Sequence, residues 1–204
     1  GPTALILGGV HGSEPAGALA AAQVCTFQPM TGKIVAVPRV NMPGLAAKLR
    51  YVPDGGGDMN RVYPPENGET PAERMGEAII ALMEEHRIRL FVDLHEARTF
   101  HKLDPTSLGQ SLLPANNPPS DAMAMAAIEA VNREIDEEVK KFTRLGPPIR
   151  RSAAWYAGKA LGIAAFTVET SGQQPLADRV GQHLAVVREL LIAGGWLARP
   201  EKDH

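Results

Sequence analysis

The sequence predicts an α/β domain with a mainly parallel, mixed central sheet and helices on both faces. Three observations carry this. Short apolar runs recur along the chain, most of them rich in Val, Ile or Phe, and each is the length of a single strand. Longer helical patterns lie between these runs, and parallel strands need crossover connections of that kind. The strongest strand patterns are apolar almost throughout, as expected where both faces of a sheet are covered.

The strands are expected at Thr3 to Leu7, Lys33 to Val40, Arg89 to Leu94 and Ile163 to Val168. Pro15 to Val24 reads as the helix after the first strand. Thr70 to His86 carries a full start signal, with Thr70 as N-cap, Pro71 at the first helical position and Glu73 three residues after the cap. Helix is also expected from Ser120 to Lys140, Ser152 to Leu161 and Pro175 to Ile192. Tyr51 to Gly68 and Ala97 to Pro119 read as long loops, and loops of that length in a compact domain are candidate walls of a site. The 204 residues are read as one catalytic domain.

The 21 basic and 23 acidic residues leave a net charge of -2 and form no basic face, which argues against nucleic acid as a partner. No apolar run approaches the roughly 20 residues of a membrane span, so no membrane is expected either. A small molecule or a peptide remains as the substrate. The single cysteine, Cys25, reads as a small buried hydrophobe. The cytoplasm is the expected compartment, with the periplasm or the exterior open if a leader has been removed ahead of Gly1.

Three strand ends bear chemistry. The first runs into Gly8-Gly9-Val10-His11-Gly12-Ser13-Glu14, where a histidine and a carboxylate three residues apart can face one ion. Such pairs also arise by chance, and His101 with Asp104 is another. Phe91-Val92-Asp93-Leu94-His95 ends on a histidine that could equally be a hydrogen-bonded core residue. Phe166-Thr167-Val168-Glu169 ends on a carboxylate, a group rarely buried without a partner. In an open sheet these ends share one rim. Two imidazoles, one liganding carboxylate and one spare carboxylate are the inventory of a hydrolytic zinc site, in which three protein ligands leave a position for water. In Gly57-Asp58-Met59-Asn60-Arg61 an arginine and an asparagine could grip a carboxylate, or the segment could be a solvated loop.

These residues resemble the M14-type zinc carboxypeptidases, and within them the succinylglutamate desuccinylase and aspartoacylase branch. The resemblance rests on His11 to Glu14, Arg50-Tyr51, Asp58 to Arg61, Asp93 to His95 and Val168 to Thr170, in the family's order. It implies a zinc carboxypeptidase-like fold and one Zn²⁺ per chain, held by His11, Glu14 and His95. It implies Glu169 as the general base that then protonates the leaving amine, and Arg50 as the group that polarises the scissile carbonyl. Asn60 and Arg61 match the pair that binds the substrate carboxylate, and Asp58 the acid that orients the first histidine. Tyr156 lies where a carboxypeptidase tyrosine reaches the substrate, although its helical spacing also allows simple packing.

The resemblance implies an amide hydrolase acting next to a free carboxylate: a deacylase of N-acyl amino acids, or a carboxypeptidase acting on peptides or cell-wall peptides. A zinc-binding module without catalysis is the alternative from another class, and Glu169 argues against it. Departures from the branch are Glu96, where a small or neutral residue is usual, with Arg98 and His101 close behind. The chain also leaves no room for the C-terminal β domain that narrows aspartoacylase sites, so a more open cleft is expected. His86 and His183 read as structural or exposed.

Overall fold

The computed structural model describes residues 1–199. Four of its strands are those expected: β1 (Thr3–Gly8), β2 (Lys33–Val37), β3 (Ile88–Ala97) and β6 (Ala164–Ser171). All pair in parallel. Two more, β4 (Ser111–Pro114) and β5 (Thr143–Arg144), were not expected. β4 runs antiparallel to β6, and β5 pairs parallel to β4, so the sheet is mixed with the order β2-β1-β3-β6-β4-β5. β4 lies inside the segment read as a loop from Ala97 to Pro119. It is fully buried but only four residues long and ends on a proline, too short to show a period.

The helices are α1 (Pro15–Val24), α2 (Met42–Ala47), α3 (Pro71–Glu85), α4 (Pro118–Arg133), α5 (Ala153–Ala160) and α6 (Leu176–Ala193). α1, α4 and α6 cover one face of the sheet, over Ala4, Ile6, Val92, Leu94, Phe166 and Val168. α3 and α5 cover the other, over Leu5, Leu7, Phe91 and Ala165. This alternation along each strand makes β1 and β6 buried throughout. No helix among the described residues is long and apolar enough to cross a membrane.

Local chemistry sets the element ends. The expected capping box of α3 forms, with the Thr70 hydroxyl accepting from Glu73 N and the Glu73 carboxylate accepting from Thr70 N. β2 stops before Pro38 and not at Val40, because proline has no N–H for a ladder. α4 starts at Pro118, before Ser120, since Asn117 caps it and Ser120 instead accepts a hydrogen bond from Ala165 N. It ends at Arg133 and not Lys140, where the Asn132 side chain exchanges two hydrogen bonds with the backbone of Phe142 and turns the chain back. α2, absent from the sequence reading, is a short helix capped by Asn41. Cys25 is exposed, not buried, because it follows the last residue of α1 at the surface.

β3 and β6 run past the end of their neighbour β1. The β1 pairing stops at Gly8↔Leu94, whereas β3 and β6 continue through His95↔Glu169 to Ala97↔Ser171. β3 and β6 therefore reach past β1 at the carboxyl edge of the sheet, with β4 flanking β6 as far as Glu169, and α1 packs against β3 through glycine. A Cβ on Gly17 would lie 2.4 Å from the Leu94 carbonyl oxygen, and one on Gly8 2.3 Å from the Gly17 oxygen. Alanine favours a helix over glycine by about 1 kcal/mol, but overpacking typically costs about 1 to 3 kcal/mol. Gly17→Ala should therefore destabilise the fold in urea unfolding, by up to about 2 kcal/mol. A stabilised variant would show that α1 does not approach β3 this closely.

Candidate active site

The turn from β1 into α1 carries His11 and Glu14, and β3 carries His95. His11 Nδ1 lies 2.8 Å from Glu14 Oε1, His95 Nδ1 lies 3.0 Å from Glu14 Oε2, and the two Nδ1 atoms are 3.1 Å apart. All three side chains are buried. No other group of three or more such side chains among the described residues brings its donor atoms this close together. A tetrahedral zinc site with bonds of about 2.0 to 2.1 Å puts its donors about 3.3 Å apart, and the two Nδ1 atoms, each beside one Glu14 oxygen, are close to that spacing.

The far side of each imidazole faces a carboxylate. His11 Nε2 is 3.2 Å from Asp58 Oδ1, and His95 Nε2 is 2.9 Å from Asp93 Oδ2, the latter out of line for a good hydrogen bond. Both contacts favour the proton on Nε2 and leave the Nδ1 lone pairs aimed at the same point. The donor set thus fits a zinc ion. Asp58 Oδ1 also accepts from Asn60 N at 2.8 Å and caps the turn Met59–Arg61, so one oxygen ties the His11 ring to the residues expected to bind a carboxylate.

The charges follow from this crowding. Burial works to raise the Glu14 carboxyl, but His11 and His95 outweigh it and hold it well below the usual range. Burial works to lower the His95 imidazole, yet the Asp93 and Glu14 carboxylates hold it well above its ordinary value. A divalent cation bound here would compete with protons for these groups. Glu169 sits opposite His95 on β6. Burial pushes its carboxyl up to about 8, with His95 and Arg50 opposing and Glu14 and Asp93 adding to the rise.

Arg50 donates to Glu14 Oε1 at 2.5 Å and lines the cavities on both sides of the cluster. The smaller, of about 80 Å³, is walled by Asn60, Arg61, Thr167 and Glu169 among others. The larger, of about 230 Å³, opens past Glu96, Arg98, Thr106 and Ser107. Asn60 is buried and its Oδ1 has no partner, while Arg61 is exposed with Nη1 on the Asn60 carbonyl. Tyr156 does not join this set. It lies on α5, half-buried, 6.4 Å ring to ring from Tyr63, and lines neither cavity, so packing is the role its surroundings give it. A further cavity of about 420 Å³ beside Trp155 and Lys159 lies near the start of β6, away from the cluster.

Two residues near the centre were not assigned from the sequence. Asp93 carried a signal, since positions two apart on a strand share a face and Asp93 must lie beside His95. Glu96 stood out in the sequence only as a departure from the branch, with nothing to give its role: it points to the opposite face, where it pairs with Arg179 of α6. His183, also on α6, is fully buried with Nε2 3.1 Å from Thr170 Oγ1, and burial pushes its pKa down to about 3. It is a neutral core histidine.

Fold and site together define a zinc carboxypeptidase-like α/β protein with a His-Glu-His cluster at the carboxyl edge of its sheet. The chain belongs to the succinylglutamate desuccinylase/aspartoacylase catalytic domain family, whose model matches residues 1–193. It is 32% identical over 80 residues to the N-alpha-acetyl-L-2,4-diaminobutyric acid deacetylase of Halomonas elongata, a stretch covering 38% of this chain and 23% of that protein. Its fold is similar to that of the mDAP-bound form of Csd4, a D,L-carboxypeptidase from Helicobacter pylori, with a TM-score of 0.84 and 23% identity over 93% of this chain. The product-bound ectoine utilization protein EutE (DoeB) from Ruegeria pomeroyi is similar over 100% of this chain, with a TM-score of 0.71 and 24% identity. The chain spans 50% of the length of the former structure and 61% of the latter.

The Glu169 environment has a consequence for pH. Its folded pKa lies above the unfolded carboxylate value, so the stability this carboxyl contributes is complete below about pH 4.5 and is lost as the pH rises through about 8. In metal-free protein, Glu169→Gln should therefore gain thermal stability relative to wild type between pH 5 and pH 9. A gap that closes or reverses over that range would mean that Glu169 is not held in a buried, anionic setting.

Proposed function

We propose that this chain is a zinc-dependent hydrolase of N-acyl amino acids, cleaving the amide next to a free carboxylate. One observation carries the reading: His11 Nδ1, His95 Nδ1 and the Glu14 carboxylate converge within 3.1 Å of one another, with Glu169 across from them on the neighbouring strand. Zinc held by His11, Glu14 and His95 would bring the pKa of a water toward neutrality and polarise the scissile carbonyl.

The remaining steps belong to the chain's own residues. Glu169 takes the proton of the attacking water and passes it to the leaving amine. Its raised pKa suits it to hold that proton between the two transfers, and a cation beside it would lower the value toward that of a working base. Arg50, reaching into both cavities, faces the charge that develops on the carbonyl oxygen. Asn60 and Arg61 form the end of the smaller cavity and receive the carboxylate, with Arg61 as the fork and the Asn60 side-chain NH2 as a further donor. Asp58 and Asp93 keep the imidazoles in the required tautomer.

The larger, open cavity favours a second reading, hydrolysis at the C-terminus of a peptide. A space of about 230 Å³ beyond the cluster exceeds what an acetyl or succinyl group fills and would accommodate a longer acyl chain. The bond cleaved is of the same kind in both cases. A catalytically silent zinc module is the less supported alternative, because Glu169 is a buried carboxylate with no side-chain hydrogen-bonding partner among the described residues to account for it structurally.

Zinc-loaded protein should be assayed with acetyl and succinyl amino acids beside short peptides, each as the free acid and the amide, by release of free amine. Free acids should be cleaved far faster than amides. Arg61→Ala should reduce that preference by about tens- to a hundredfold, the effect of losing a charge-assisted contact of about 2 to 3 kcal/mol. Glu169→Gln should lower turnover by about 10² to 10⁴ while zinc is retained. Cleavage that is indifferent to the carboxylate, or a fully active Gln variant, would contradict the assignment.

A further inference from the structure

Glu14 stands at the N-cap position of α1, yet its side chain makes no cap hydrogen bond. The carboxylate that would ordinarily satisfy the first free N–H groups of the helix is turned into the metal cluster instead. Pro15 at the first helical position removes one of those groups, since it has no N–H. The next, Ala16 N, belongs to a fully buried residue and would be costly to leave unpaired. It donates to Glu96 Oε1 at 2.6 Å, from a residue 80 positions away on β3. The other Glu96 oxygen pairs with Arg179 of α6, and the Glu96 N–H donates to Glu14 Oε2 at 3.0 Å.

Glu96 therefore grips the same turn twice, through its backbone on the Glu14 carboxylate and through its side chain on the helix that follows Glu14. His95 is its direct neighbour. The distance between the two strand-borne ligand sets is thus fixed by one residue that is not itself a ligand and points to the other face of the sheet. A negative charge at the start of α1 is favourable in its own right, because the N–H ends of the helix face it.

We propose that Glu96 is a positioning residue of the metal centre, capping α1 in place of Glu14 so that the Glu14 carboxylate is free to bind the ion and is held at the spacing His95 requires. Arg179 pairs with the second Glu96 oxygen and orients the carboxyl toward α1. This rests on the zinc reading given above.

Replacing Glu96 alone would leave Arg179, only 16% exposed at its side chain, without its partner. The test therefore changes both residues in two ways. Glu96→Gln with Arg179→Met keeps an acceptor for Ala16 N, and Glu96→Met with Arg179→Met keeps the volume but not the acceptor. Zinc affinity is measured by competition with a chelator, and the melting temperature is measured on the metal-free forms. The Gln pair should bind zinc about 10- to 100-fold more tightly than the Met pair, the range typical of residues that orient ligands. Equal zinc affinities in the two pairs, whatever their melting temperatures, would overturn the proposal and leave Glu96 a purely structural cap. Glu96→Leu with Arg179→Met gives the same comparison should the Met pair fail to fold. Wild-type protein that binds no zinc would instead refute the reading on which the proposal rests.

Discussion

The Glu14 carboxylate is the group on which the site depends. It is met by His11 from its own turn, by His95 and the Glu96 N–H from β3, and by Arg50 from the loop after α2. Three separate stretches of chain are thereby held to one pair of oxygens. An ionised carboxylate buried to this degree is expensive unless paired, and here Arg50 and the Glu96 N–H donate to it while the two imidazoles lie within hydrogen-bond distance. The same pairing that makes the burial tolerable brings the two imidazoles into register.

The sheet supplies what side chains alone could not. Because β3 and β6 continue together beyond β1, His95 and Glu169 stand on adjacent rungs and face the same side. As the proposed base, Glu169 is placed by backbone hydrogen bonds between neighbouring strands and not by a flexible loop, which is the precision that proton transfer needs. The loops contribute the walls of the two cavities: Arg50, Asn60 and Arg61 on one side, Arg98 and Ser107 on the other. Rigid strands hold the proposed chemistry and loops frame the cavities beside it.

Much of this was legible in the sequence, and the reasons are local. Val- and Ile-rich runs marked the parallel strands, Thr70-Pro71-Glu73 marked a helix start, and the histidines and acids at strand ends marked one rim. β4 escaped because four residues ending in proline have no period to read. α4 was shifted because Pro118 and Pro119 sit comfortably in its first turn behind Asn117. Cys25 was misjudged because composition says nothing about which end of a helix reaches the surface. The partnership of Glu96, Ala16 and Arg179 had no local signature, since it joins segments that only the folded sheet brings together. Tyr156 shows the limit of motif matching: it has the expected order in the chain, but α5 turns it toward Tyr63.

In the proposed function, two imidazoles and one carboxylate of this chain hold a single zinc ion. X-ray absorption at the zinc edge, on protein loaded with one equivalent, tests it most directly. The account requires a first shell of about four nitrogen or oxygen neighbours near 2.0 to 2.1 Å, with the outer-shell scattering of two imidazole rings. A shell containing sulfur, a signal from fewer than two imidazoles, or failure to take up the equivalent of zinc would contradict it.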